Sequence, residues 1–224
     1  MKKAIISMFI VSLIVLTGCQ QLSEKVLVYQ ENYEIIGTER EEIIGEVSDT
    51  IYESIDRSNS AATNVFIEPI LQEGNDLTLP EGRYEITAMM AGNVFIRDEH
   101  GTLLFHDIIA RSPYGVERIT VDVNGKHIIH VDGFDNVMIT PVSTQLSNEL
   151  SPGIWEVGKD IKAGNYTVKG KGLGYLQIFE QGQSPQVFEV IGWGSESVSE
   201  IQLKDGQKIK ITGAQTVQFN TNDT

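Results

Sequence analysis

The chain is expected to be mainly β: two tandem small antiparallel β-sandwich or barrel-like modules preceded by a helical arm. Three observations predict this. Beyond Phe66 apolar and polar residues alternate with period two, and glycine and Asn/Asp residues punctuate the alternation. The segment Leu79-Pro80-Glu81-Gly82-Arg83-Tyr84-Glu85-Ile86 matches Ile161-Lys162-Ala163-Gly164-Asn165-Tyr166-Thr167-Val168 at an offset of 82. Before Phe66 the apolar spacing is helical instead.

The repeat continues in order. Asn93-Val94-Phe95-Ile96 falls on Tyr175-Leu176-Gln177-Ile178, Asn124-Gly125 on Asp205-Gly206, Gly133 on Gly213 and Val137 on Val217. The offset shrinks by one or two residues along the later landmarks, as loops shorten, and landmarks in one order argue duplication. Six strands are predicted in the first copy, near 83–89, 93–97, 102–108, 116–123, 126–131 and 135–140. In the second they lie near 165–169, 174–180, 186–191, 197–203, 208–212 and 216–220. Asn124-Gly125 predicts a two-residue type I′ hairpin, which needs positive φ at both central residues. Pro80-Glu81-Gly82 fits a type I turn followed by a left-handed glycine. Two separate modules, at 65–148 and 149–224, are the favoured division, and a single larger sandwich is the alternative.

The arm follows from a stripe. Leu22, Val26, Tyr29, Tyr33 and Ile36 alternate spacings of four and three, and Ile43, Val47, Ile51 and Ile55 resume after Gly37. Two helices broken near Gly37 are expected, with Thr38 and Glu41 as a capping box. The stripe packs on the body or on another copy, or serves as a spacer. Residues 58–64, small and polar, read as a hinge ending an arm over 19–64.

The first 18 residues have a different grammar. Lys2 and Lys3 precede an apolar run from Ala4 to Leu16, which ends at Thr17-Gly18 and is too short to span a membrane. Cys19, the single cysteine, follows. Leu16-Thr17-Gly18-Cys19 resembles the lipobox of bacterial lipoproteins. That resemblance implies cleavage before Cys19 and a diacylglyceryl group on its thiol, hence a lipid-anchored protein on the extracytoplasmic face of the cell membrane. Two acyl chains anchor stably where one binds marginally.

The second copy opens with Gly153-Ile154-Trp155-Glu156-Val157-Gly158-Lys159-Asp160-Ile161, continuing to Gly164 and Tyr166. This is similar to the Trp-x-Val-Gly-x-Asp-Ile-x-x-Gly-x-Tyr pattern of small all-β repeats in exported Gram-positive proteins and lipoproteins, to which no common activity attaches. The first copy lacks the tryptophan and the Val-Gly-x-Asp element. Trp155 and Tyr166 are expected to fill the module core.

Charge narrows the function classes. The chain carries 17 basic and 31 acidic residues, a net charge of −14. From Gln20 to Ser58 ten acids face three bases, so the acidity is concentrated in the arm. Such a surface repels nucleic acid and anionic polymers, and no nucleic-acid partner is expected.

Catalytic residues and cofactors are not predicted. Ser195 lacks the flanking glycines of a nucleophile elbow, and no zinc-protease, phosphate-loop or dinucleotide motif occurs. His100, His106, His127 and His130 all lie in the first copy near Asp98, Asp107 and Asp132, but their strand spacing does not assemble a metal site. Asp122-Val123-Asn124-Gly125 and Asp132-Gly133-Phe134-Asp135 lack a full calcium ligand series. Lys159, Lys162, Lys169 and Lys171 suggest a basic edge, the pattern that also guards strand edges from aggregation.

The candidate ligand-binding residues are Tyr114 and Trp193. Each stands among turn formers, in Ser112-Pro113-Tyr114-Gly115 and Gly192-Trp193-Gly194-Ser195, between the third and fourth predicted strands of its copy. Exposed aromatics there stack on sugars or fill partner pockets. The reading is a non-enzymatic membrane-anchored lipoprotein that binds a protein or a cell-wall component. The alternative is an enzyme or accessory factor of cell-envelope metabolism with an unrecognised active site.

Overall fold

A computed structural model describes residues 22–68, 73–193 and 195–222, with the side chains of residues 193 and 195 outside the described set. The leader and Cys19 therefore lie outside the described residues. The fold is mainly β, and neither sheet closes into a barrel.

The arm comprises α1 (Glu24–Asn32), α2 (Thr38–Ile44) and a 3₁₀ turn at Asp49–Tyr52. The break near Gly37 is present, but the capping box is not. Thr38 is already helical, Gly37 occupies the cap at φ +72°, and Glu41 binds the neighbouring Arg40. Nor does the second helix extend to Ile55. Gly45, at φ +61°, donates its N–H to Glu41 O at 2.9 Å and ends α2. No helix among the described residues is long and apolar enough to cross a membrane.

The strands are β1 (Val65–Ile67), β2 (Asn75–Leu77), β3 (Gly82–Met89), β4 (Gly92–Arg97), β5 (Leu103–Ile109), β6 (Ile119–Val123), β7 (Ile128–Asp132) and β8 (Asn136–Pro141). The second module adds β9 (Glu149–Leu150), β10 (Gly153–Glu156), β11 (Gly164–Phe179), β12 (Gln186–Trp193), β13 (Ser195–Glu196), β14 (Ser199–Leu203) and β15 (Lys208–Thr221). In the first module β1-β8-β3-β6 faces β2-β7-β4-β5. Alternation drives Tyr84, Ile86, Val94, Ile96, Ile129 and Val137 into the space between these sheets, all fully buried.

The strands of the second module all belong to one sheet and run with fewer interruptions. The two strand pairs expected at 165–180 and 208–220 are the single long strands β11 and β15, paired along their lengths across bulges near Gly172. Glycine permits the continuity. A β-carbon on Gly174 would stand 2.0 Å from Thr212 O, so only glycine lets the two backbones pass the corner together. The first module breaks here instead, at Met90-Ala91 and at Gly133-Phe134-Asp135.

Two turn expectations change. Asn124-Gly125 joins β6 to β7, which belong to different sheets, so it is an arch and not a hairpin. Only Gly125 has positive φ, and Asn124 Oδ1 accepts from the N–H groups of Lys126 and His127, both at 3.0 Å. Gly82 is not left-handed. It makes room for Asn59, whose Oδ1 would meet a β-carbon at 2.6 Å and accepts the Arg83 N–H at 2.9 Å. The stretch read as a hinge is thus pinned, since Asn59 Nδ2 also donates to Val142 O at 2.9 Å.

The repeat tyrosines keep one geometry. Tyr84 donates to Pro80 O at 2.8 Å and Tyr166 to Lys162 O at 2.9 Å, each hydroxyl reaching the carbonyl four residues back while its ring fills a core. Trp155 departs from expectation. It is half-buried at the margin of the second core, where its indole N–H donates to Ser151 O and the Arg83 guanidinium lies 4.6 Å above its ring.

The modules are two cores on a shared frame. Gly153 of β10 pairs in parallel with Thr120 of β6, making one sheet of eleven strands. Ile154 and Phe179 of the second module are buried in the core of the first. The arm straps both modules. Ile35 N–H donates to Val187 O and Tyr33 O accepts from Glu189 N–H, while Ile51 enters the first core. Burial of Ser48, which donates to Asp98 at 2.6 Å, and of His127, 3.0 Å from the Thr50 hydroxyl, holds the 3₁₀ turn down.

Candidate functional site

The most exposed large apolar side chains of the first module gather where β3 turns into β4. Strand alternation aims Met89 outward, and the chain then passes through Met90 at φ +69°. Facing this turn is the loop between β5 and β6. Val116 N–H donates to Ile108 O at 2.8 Å and Ala110 N–H to Val116 O at 2.9 Å, closing the loop at its base. Gly115 fits because a β-carbon there would stand 2.4 Å from Ile108 O. The Gln215 side-chain amide, from the second module, donates to Gly115 O and braces the loop from outside.

Tyr114 stands at the tip of this loop with 81% of its surface exposed, and Met89 and Met90 are 63% and 66% exposed. With Ala88, Ile109 and Ala110 they line a concavity of about 890 Å³, rimmed by Arg111 and Glu117. Apolar surface left in water around a braced concavity is the usual mark of a contact site. No protein-family model matches the chain, and no curated protein matches it.

Trp193 was expected in a loop. Its backbone instead closes β12 and pairs with Ser195 of β13, and its side chain lies outside the described residues. The strand runs on because Gly192 lets the chain pass Gly170 O, which would lie 2.1 Å from a β-carbon. Sequence reasoning missed Met89 and Met90, which look like the end of an apolar strand. One signal could have found them: at the repeat offset Met90 falls on Gly172, a residue type suited to positive φ.

The histidines separate into different roles. His106 stacks on Phe95 with centroids 4.2 Å apart, and His130 contacts Asp76 at 2.7 Å and Asp132 at 3.6 Å. Among the described residues no three His, Cys, Asp or Glu groups converge as a metal site. Two of the four lysines are engaged in ion pairs. Lys159 pairs with Glu156 at 3.0 Å and Lys169 with Glu196 at 3.3 Å.

A second groove, of about 640 Å³, runs between the modules. Trp155 and Arg83 lie among its lining residues, with Arg118, Lys171, Gln145 and Gln218. A buried ion cluster also joins the modules and includes that same Arg83. Arg57 of the arm contacts Asp122 at 2.5 Å and Asp160 at 2.9 Å, and Arg83 contacts them at 3.0 and 3.3 Å. All four side chains are at most 9% exposed, and their charges cancel. Asp160 Oδ2 further accepts the Glu156 N–H at 2.8 Å, so the aspartate of the repeat pattern shapes its own turn and locks the joint.

Burial perturbs two further groups at this joint. Lys210, beside the Phe179 ring, is pushed down to about 8. Asp107 is pushed up to about 6 by burial, against the pull of its bonds from the Gly213 and Ile108 N–H groups. Because the folded value exceeds the unfolded one near 4, the folded protein binds the extra proton between those limits. The Asp107 contribution to stability should therefore rise as pH falls from about 7 to 4, by on the order of 3 kcal/mol. Carbon-detected NMR titration should place the Asp107 carboxyl midpoint near 6; a midpoint near 4 would refute the assignment.

Proposed function

We propose that this chain is an extracytoplasmic lipoprotein, anchored through lipid on Cys19, that works by binding a partner through the Tyr114 surface. The carrying observation is the cluster of Tyr114, Met89 and Met90, exposed around one concavity on a loop braced by both modules. Exposing such side chains costs solvation, which partner contact recovers. The block behind the surface suits presentation. The arm is strapped to both modules and the joint is ion-locked, so the surface is held rigidly relative to the arm that leads back to Cys19. A rigid site loses less entropy on docking.

Replacing Cys19 with Ala is expected to move the protein from the membrane fraction to the soluble fraction, with unchanged circular dichroism and no incorporation of a labelled fatty acid. Retention at the membrane without lipid would sink the anchoring claim. For the surface, a photo-crosslinking residue at Tyr114 should yield a discrete adduct in intact cells. The same residue at Leu146, which is also exposed, should not. Equal labelling at both positions would remove Tyr114 from the site.

A further inference from the structure

Met90 meets a backbone demand that the second module meets with glycine. Its φ is +69°, whereas Gly172, its counterpart at the offset of 82, has φ +102°. A β-carbon in the left-handed region crowds the backbone, a strain that glycine avoids. The methionine recovers little from packing, because it is 66% exposed and belongs to neither core. A bulky residue held in a strained conformation and pointed into water marks a surface used for contact.

The apolar surface extends beyond the concavity. Phe66 of β1 sits opposite Met138 of β8, and Met138 sits opposite Thr87, two residues before Met89 on the same outward face. Phe66 and Met138 are both about half exposed. A row from Phe66 through Met138 and Met89 to Met90 thus crosses the sheet toward Tyr114. Flexible thioethers re-pack around varied apolar shapes, which is how methionine-rich surfaces take the apolar face of an amphipathic helix.

Charge selects the kind of segment. Exposed Glu68, Glu117 and Asp135 flank the row, with Glu85 on the same outward face of β3, against Arg111 and Arg118, and Arg118 is already paired with Glu85 at 3.3 Å. Glu68 follows Ile67, which pairs with Val137, and the Asp135 N–H donates to Met89 O at 3.3 Å, so both acids lie beside the methionines. The net charge of −14 adds a long-range field of the same sign.

We infer that this surface docks a cationic amphipathic segment of a partner protein, with Met90 as its strained anchor. The apolar side of the segment lies along the methionine row, and its basic residues lie over Glu68, Glu117 and Asp135. This rests on the reading of the Tyr114 surface as a binding site and names what that site takes.

The test uses the purified full chain and two labelled amphipathic helical peptides of identical pattern, one of Leu and Lys, the other of Leu and Glu. Fluorescence anisotropy should show saturable binding of the Leu/Lys peptide, weakened by salt, and none of the Leu/Glu peptide. Met90→Gly, which leaves the charge unchanged, should weaken binding at least about tenfold. Its thermal midpoint should equal that of the natural protein or exceed it by up to about 3 °C. Undiminished binding by Met90→Gly, or equal binding of both peptides, would overturn the inference. So would a concentration-dependent dimer that Met90→Gly dissolves, since the occupant would then be a second copy of this chain. If the Leu/Lys peptide fails while the Tyr114 crosslink in cells persists, the cationic segment falls and the binding surface stands.

Discussion

Replacing Asp160 with Asn is expected to destabilise the protein by about 3–5 kcal/mol. Arg57 and Arg83 share two carboxylates in a site with almost no water contact, and Asp160 is 1% exposed. With the aspartate neutralised, two guanidinium groups remain against Asp122 alone, leaving a buried positive charge without compensation. Breaking a buried pair costs far more than its net worth, because the desolvation of the surviving partner is no longer offset. At about 2–4 °C per kcal/mol for a chain of this size, the calorimetric midpoint should fall by roughly 10 °C. Losing the exposed Lys126–Glu99 pair, by contrast, should change stability by less than about 0.5 kcal/mol. Equal effects at the two sites would mean that the joint is not ion-locked. Replacing all four cluster residues with apolar side chains of similar size should recover much of the loss.

Gly153→Ala is expected to break the joint from the backbone side. The new β-carbon would lie 1.9 Å from Thr120 O, at a φ of +143° that L-residues rarely adopt. The neighbouring atom is main chain, so β10 must move away from β6. That separation takes with it the bond from Thr120 N–H to Pro152 O, now 2.9 Å, and loosens Ile154 from the first core. A loss of about 3 kcal/mol or more is expected. Hydrogen exchange at the Thr120 amide gives a local readout: its protection should collapse toward that of an open edge, and native protection in the variant would refute the prediction.

The strands were legible because their signals are local. Residues 83–89, 93–97 and 135–140 alternate with the period of a pleated strand and are bounded by glycine and Asn/Asp, and β3, β4 and β8 fall within a residue of them. Arm helicity was legible for the same reason, yet its far end was not. Ile51 and Ile55 continue a helical spacing but are buried from a 3₁₀ turn and the chain beyond it, because both conformations can turn one side toward a core. The Asn124-Gly125 arch was misread as a hairpin because a turn signal states where the chain reverses and not which sheet receives it.

At the candidate site Tyr114 could be named from its turn-forming neighbours, whereas Met89 and Met90 could not, since apolar residues at a strand end read as core. Their exposure depends on what packs over them, and the register leaves the outward face of β3 uncovered beside them. Arg57, Arg83, Asp122 and Asp160 were likewise silent: in a chain with 48 charged side chains, four that meet across more than 100 residues carry no spacing signal.

By itself, then, the sequence determined the mainly β class, the positions of strands such as β3, β4 and β8, and a strongly acidic composition, all properties summed over neighbours in the chain. The tertiary structure alone decided that Ile154 and Phe179 complete the core of the first module, that one sheet runs through both, and that the arm is strapped to them. It also decided which apolar residues stay in water. The physical reason is that pairing, burial and desolvation are settled by groups distant in sequence, whose free energies appear only when the chain has closed around them.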